Sequence, residues 1–428
     1  MRKINKVAIL GASGNMGSLC GAVFASADIQ CVFFARTVEK AEKGIENAMN
    51  AVRSSVLKDC IVPRTYDDLE TEIPDCDWIF EALAENIKTK EEFFGRIDSI
   101  RRPGTIVSSV SSGLSILDMV EETSRDFKAH SLGAHFFNPP TRLPANELIF
   151  HPENSEEFKE FIRQFCAKTL RRVNIVTHDT PGFAGNRIGF QFLNSAAIAA
   201  GDTGSAKLEY LLGPYTGRAM APLATIDLVG LDVHKAIVGN LRDHTSDMMN
   251  DSFRMPDYMN KMIGQGMLGN KSKDQGGFFL SDAQESALIL NPETLKHEGI
   301  KTEKVDFVEQ VKDLIHNGWY RKAVARLFSA GGKDAELVRR FILDYIAYAF
   351  SLIGVATPET DGIHGIDSVM AYGFSWLPPS GWVDLMGGPK QTIGLIEKAG
   401  APVPDQLKSL PEGKICRVTD VSKYLAGR

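Results

Sequence analysis

Three side chains at readable intervals give this chain the means to oxidise an alcohol. His135 lies in the run Gly133-Ala134-His135-Phe136-Phe137-Asn138-Pro139, and Glu147 follows twelve residues later. Asn186 sits further on, in Pro181-Gly182-Phe183-Ala184-Gly185-Asn186-Arg187. An imidazole titrates near neutrality, so it can take a hydroxyl proton while hydride leaves the adjoining carbon. A carboxylate on the other ring nitrogen fixes the tautomer and stabilises the imidazolium that forms. His135 and Glu147 fit such a dyad if they lie on neighbouring strands, and a carboxamide such as Asn186 can hold a substrate oxygen. Taken singly, a histidine beside two phenylalanines is an ordinary core residue, and Asn186 near Pro181-Gly182 is an ordinary helix cap. Their coincidence in one chain turns the reading towards catalysis.

Such groups need a scaffold that presents them beside a hydride acceptor, and the N-terminal segments supply one. Lys6-Val7-Ala8-Ile9-Leu10 is a near-continuous apolar run, as in a parallel strand buried on both faces. It leads into Gly11-Ala12-Ser13-Gly14-Asn15-Met16-Gly17 and then an apolar-periodic helix to about residue 26. A strand over 29–34 closes the first βαβ unit, with later strands over 78–82 and 105–109, and the pattern predicts a doubly wound sheet. In that context the glycine turn predicts a dinucleotide site: Gly11, Gly14 and Gly17 for close approach, with the backbone of Asn15 and Met16 opening the helix. At the end of the second strand stands Ala35 followed by Arg36, where an NAD enzyme typically places an acid. A guanidinium without a carboxylate suits the 2′-phosphate of NADP; the alternative is Arg36 stacking on adenine with NAD still bound.

Together these segments resemble the L-3-hydroxyacyl-CoA dehydrogenase family over about residues 5–280, most specifically in Gly133 to Pro139 and in Thr180 to Arg187. The resemblance implies a Rossmann-type domain binding NAD, with His135 as base or acid and Glu147 orienting it. It implies that Ser111 and Asn186 bind the reacting oxygen or the thioester carbonyl. Ser111 is the nearest match to the family's active-site serine in Ser108-Ser109-Val110-Ser111-Ser112-Gly113-Leu114-Ser115-Ile116, with Ser109 in place of the usual asparagine and Gly113 inserted. Glu81-Ala82-Leu83-Ala84-Glu85-Asn86 resembles the family's EAxxEN segment, which places Glu81 or Glu85 near the active site, with Glu85 beside the cofactor. The glycine turn departs from the family, reading GxxGxxG rather than GxGxxG. Lys40, Lys43, Arg53 and Lys58, on the stretch after the second strand, are candidates to meet CoA phosphates, Arg53 and Lys58 foremost; the alternative is a solvated helix face.

After Pro181 the chain turns helical, over 186–200, through 228–241, and again from about residue 305, with 270–300 reading as a linker holding a short strand at Ala287-Leu288-Ile289-Leu290. The segment from Ala221 to Gly230 is echoed from Pro378 to Gly387, with Pro222/Pro379, Asp227/Asp384 and Gly230/Gly387 at one offset. A long apolar helix lies upstream of each copy, and the second has Arg339-Arg340-Phe341 where the first has Asn186-Arg187-Ile188. The expected organisation is an α/β Rossmann-type N-terminal domain (1–180) followed by two all-α domains, a duplicated helical module. These are a first helical domain (181–283), a linker (284–325) and a structural second copy (326–428). A tandem copy would satisfy within one chain the interface that single-copy relatives use to dimerise, which predicts a monomer or a different homodimer.

Net charge is −6, so no basic surplus exists to neutralise nucleic-acid phosphates. The six cysteines show neither a CxxC pair nor metal spacing, which fits a reducing cytoplasm and no metal site. The longest apolar stretch, 341–356, carries Asp344 and is too short to span a bilayer, so no membrane insertion is expected. The function expected is NAD(P)-dependent interconversion of an L-3-hydroxyacyl-CoA and its 3-oxo form, as in β-oxidation. The rivals are a dehydrogenase of a small non-CoA 3-hydroxy acid of carnitine or sugar-acid type, and a non-catalytic nucleotide-binding protein.

Overall fold

The computed structural model describes residues 3–281, 287–417 and 420–427. The chain divides into two compact units: the first runs to Phe183 and takes in Ala356–Pro358 and Tyr372–Phe374, and the second holds the rest. The boundary expected at 283/284 lies outside the described residues.

The first unit is built on an eight-stranded sheet of β1 (Lys6–Leu10), β2 (Gln30–Ala35), β3 (Ile61–Thr65), β4 (Trp78–Glu81), β5 (Ile106–Ser109), β6 (Ser131–Phe136), β7 (Ala145–Phe150) and β8 (Val173–Val176). Their order is β3-β2-β1-β4-β5-β6-β7-β8. All neighbours run parallel except β6 and β7. The 3-2-1-4-5-6 order is that of a dinucleotide-binding sheet, whose crevice opens where the order reverses beside β1.

The apolar strands have this form because both faces are covered. Val7 and Ile9 join Phe24, Phe33, Trp78 and Phe80 on one side, while Ala8 and Leu10 join Val32, Phe34 and Ile79 on the other. Each of the Val, Leu, Ile and Phe side chains, fully buried, contributes about 1.5–3 kcal/mol relative to exposure. Helix α1 (Asn15–Ala25) lies so close to the sheet that a Cβ on Gly21 would come within 2.3 Å of the Phe33 ring. Helix α2 (Val38–Val52) starts on Thr37, whose side chain accepts from the Lys40 N–H, and ends on Arg53 in the left-handed region.

The second unit is mainly helical, and it corrects two expectations. The helix read across 228–241 is broken: Pro222–Val229 and Leu231–His244 meet at Gly230, whose φ of +95° suits only glycine. The apolar period runs through the break, so the sequence pattern hid it. Residues read as a linker with one short strand form a three-stranded antiparallel sheet of β9 (Phe279–Ser281), β10 (Ala287–Asn291) and β11 (Lys296–Gly299), in the order β11-β10-β9.

The repeated aspartates have one job in both copies. Asp227 accepts the N–H groups of Phe278 and Phe279 at 2.8 and 2.7 Å, and Asp384 accepts those of Ile415 and Cys416 at 2.9 Å each. Each carboxylate thus fastens a helix to a later segment of its own copy. The long helices Gly185–Thr203 and Lys333–Ser351 both run 19 residues. Phe192 of the first meets Phe341 of the second with ring centroids 5.1 Å apart. The second of these helices carries no asparagine. Among the described residues no helix is long and apolar enough to cross a membrane.

Candidate active site

The turn between β6 and β7 sets the register that makes the dyad. Antiparallel pairing places His135 directly opposite Glu147, so both side chains leave the same face of the sheet. His135 Nδ1 lies 2.7 Å from Glu147 Oε2, with the carboxylate fully buried. An ionised carboxylate only accepts, so Nδ1 carries the proton and the Nε2 lone pair is left as the base. The imidazole packs edge-on with Phe137 and at a tilt with Phe183, with ring centroids at 4.8 and 5.5 Å.

The serine segment follows β5. Ser111 donates its hydroxyl hydrogen to Glu85 at 2.5 Å, and Glu85 also accepts the N–H groups of Ser112 and Gly113 at 3.2 and 2.8 Å. Burial works against the charge on Glu85. Lys90, the Ser111 hydroxyl and the two N–H groups together outweigh it and hold the carboxyl below its usual range. The Glu85 carboxylate, which the family resemblance places beside the cofactor, also organises the serine loop.

A residue the sequence reading passed over lies beneath this loop. Lys90 is fully buried, with its ammonium 2.6 Å from Glu81 and 3.5 Å from Glu85. It shares the buried stripe of the helix Ile87–Ile100 with Phe94 and Ile97, an i, i+4, i+7 spacing at which a lysine is out of place. That misplaced cation was the available signal.

The glycine turn fits a dinucleotide. A Cβ on Gly11, at φ +75°, would come within 2.2 Å of the Ala82 carbonyl, and one on Gly17 within 2.3 Å of the Gly11 carbonyl. Only bare backbone therefore lets β1, β4 and α1 converge here. Gly14 caps α1 with no side-chain hydrogen bond and no acid in the first turn, and Ser13, Gly14 and Asn15 are exposed. The helix N-terminus is thus open to a diphosphate. Met16 packs its side chain on the core, so it has only backbone to offer. The Asn15 amide donates to Asn138 Oδ1 at 3.2 Å, tying the glycine turn to the loop after His135. Arg36 is exposed immediately after buried Ala35 at the end of β2, and no carboxylate stands there.

The remaining candidates stand on other elements. Asn186 is buried at the second position of the helix Gly185–Thr203 in the second unit, inside the helix rather than capping it. Its neighbour Arg187 pairs with Asp247 at 2.7 Å. The proposed CoA cations do not share one helix face: Arg53 is the C-cap of α2 and Lys58 lies in the 3-10 turn Ser55–Cys60. Lys43 is paired with Glu46 at 2.9 Å, so of the basic side chains on this stretch it is already engaged.

Comparison with known proteins follows the same lines. The family model described as "3-hydroxyacyl-CoA dehydrogenase, NAD binding domain" matches residues 6–180, and "3-hydroxyacyl-CoA dehydrogenase, C-terminal domain" matches 182–278. A probable 3-hydroxyacyl-CoA dehydrogenase of Bacillus subtilis is 30% identical over 96% of this chain, which spans only 54% of that protein's length. One of Deinococcus radiodurans is 30% identical over 70% of this chain and 89% of its own. The crystal structure of 3-hydroxybutyryl-CoA dehydrogenase from Escherichia coli K12 shares the fold, with a TM-score of 0.67 and 18% identity, covering 92% of this chain and 94% of that one. The two matched segments and the near full-length relative agree: the chain belongs to the 3-hydroxyacyl-CoA dehydrogenase family, and its first unit is an NAD-binding domain of that family.

Proposed function

We propose that this chain interconverts an L-3-hydroxyacyl-CoA and the corresponding 3-oxoacyl-CoA. The observation that carries the reading is the buried His135–Glu147 pair, 2.7 Å apart, at the carboxyl end of β6 in an NAD-binding domain. In oxidation His135 Nε2 takes the C3 hydroxyl proton, and in reduction it returns one. Glu147 keeps Nδ1 protonated and stabilises the imidazolium. Ser111 and Asn186 bind the reacting oxygen or the thioester carbonyl. The open end of α1, with the backbone of Gly11, Gly14, Asn15, Met16 and Gly17, receives the dinucleotide diphosphate. NAD, when bound, supplies the acceptor for the C3 hydride.

NAD is the cofactor of the matched domain, while Ala35-Arg36 favours tolerance of NADP. Arg53 and Lys58 are the proposed contacts for CoA phosphate. We read the second unit as two copies of one helical module, the later one structural. Packing between its long helices supports a monomer that buries within itself what a single-copy relative would present to a partner. The location proposed is the cytoplasm.

The test follows nicotinamide absorbance with acetoacetyl-CoA, using NADH and NADPH in parallel, on the native chain and His135→Ala. Turnover that falls about 10²–10⁴-fold in the variant is expected. Tight nucleotide binding with no turnover of the thioester, but turnover of acetoacetate, would transfer the assignment to the free acid.

A further inference from the structure

The Glu81–Lys90 pair is buried, lies outside the proposed catalytic dyad, and reaches the serine loop by two routes, through Ser109 and through Glu85. Glu81 Oε1 accepts from the Lys90 ammonium and from the Leu83 N–H, each at 2.6 Å. Its Oε2 accepts the Ser109 hydroxyl. The Ser109 oxygen in turn accepts the Ser111 N–H at 3.1 Å. On the other side the same ammonium reaches Glu85 at 3.5 Å, and Glu85 accepts the Ser111 hydroxyl. Ser111 is therefore gripped at its backbone and at its side chain, and both grips lead back to Lys90. Desolvating an ion pair this deeply is costly, and an apolar pair of like volume would often stabilise the fold as well.

We propose that Lys90 is a positioning residue of the active site: anchored by Glu81, its ammonium fixes Glu85 as an acceptor and so fixes the Ser111 hydroxyl as a donor to Glu85. Ser111 then turns its oxygen lone pairs outward, which suits it to accept a hydrogen bond from the substrate hydroxyl or from an amide. This rests on the reading that Ser111 faces substrate. The charged groups meeting at Glu85 are Lys90 from the helix Ile87–Ile100 and, through the shared ammonium, Glu81 from β4. The uncharged donors come from Ser111, Ser112 and Gly113. Tyr66, in the turn after β3, accepts the Gly11 N–H with its hydroxyl and feels the charge of Glu81.

The test compares Glu81→Gln/Lys90→Met, which removes both charges at similar volume and so avoids stranding either one, with Lys90→Arg, which keeps the cation. In the ligand-free chain, the carboxyl carbon of Glu85 is followed by NMR through a pH titration and assigned with Glu85→Gln. Its midpoint is expected to rise about one unit in the double variant and to stay near the native value in Lys90→Arg. In acetoacetyl-CoA reduction, kcat/KM is expected to fall about tenfold in the double variant, with part of the loss recovered in Lys90→Arg. A Glu85 midpoint that does not move, or a double variant with native kcat/KM, overturns the proposal. If the native chain itself fails to turn over the thioester, the dehydrogenase reading falls instead, and the NMR comparison still decides whether Lys90 governs Glu85.

Discussion

At the scale of single residues, the dyad depends on a carboxylate that can do more than hold a ring in place. Glu147→Gln retains an acceptor for Nδ1–H but loses the charge that stabilises the imidazolium. A fall in kcat of about 10²–10⁴-fold with little change in KM is expected from steady-state kinetics, and near-native kcat would show that orientation alone suffices. His135 and Glu147 could be paired from sequence only on the condition that they lie on neighbouring strands, and the register of β6 against β7 supplies that condition. Lys90 was not legible in the same way, since a lysine near a helix start is ordinarily a solvated residue. Its burial becomes visible only once β4 and β5 bring Glu81 and Ser109 to the same point. Asn186 was legible as a residue type in a specific segment, but its place within the helix rather than at its cap required the backbone.

At the scale of elements, the glycine turn works by allowing three of them to converge. Gly17→Ala would put a Cβ within 2.3 Å of the Gly11 carbonyl, and backbone on both sides leaves nothing flexible to yield. The substitution is expected to cost about 1–3 kcal/mol in a denaturant melt. It should also weaken NADH binding at least tenfold, or about 1.4 kcal/mol, in a fluorescence titration. Native affinity would mean that α1 can slide without disturbing the diphosphate site. The parallel strands were readable because continuous apolar runs of this length between helices admit few other arrangements. The small sheet of β9 to β11 was not, because its strands are short, lie among Gly, Lys and Asp, and bury little: only Ile289 and Leu290 of β10 go fully inside. The break at Gly230 was masked by apolar spacing that continues straight across it.

At the scale of the whole molecule, the helical unit stores acids where water does not reach. Burial pushes the Asp367 carboxyl up to about 7 against the Ser380 hydroxyl and N–H that favour its charge, and it raises Glu209 to about 7 and Asp227 to about 6. In the unfolded chain an aspartate titrates near 4. Between those values the folded form holds a proton that the unfolded form has lost, so stability falls as pH rises through the window from about 4 to about 7. Calorimetry should show a drop in Tm from about pH 5 to about pH 8 that shrinks by a few degrees in Asp367→Asn. It should not vanish, because Glu209 and Asp227 act in the same sense; an unchanged slope would mean that Asp367 is already ionised at pH 5. The repeated pattern was legible in the common offset of three residue pairs, although what its aspartates hold was not. Asp227 and Asp384 close the same joint in two places, while the amide at Asn186 has no counterpart on the second long helix. Each carboxylate thus closes a loop of chain, whose ends lie 51 residues apart in sequence at Asp227 and 31 at Asp384. Because closure entropy grows only slowly with length, the polypeptide can lengthen inside either loop while the clasp at its base keeps the two ends together.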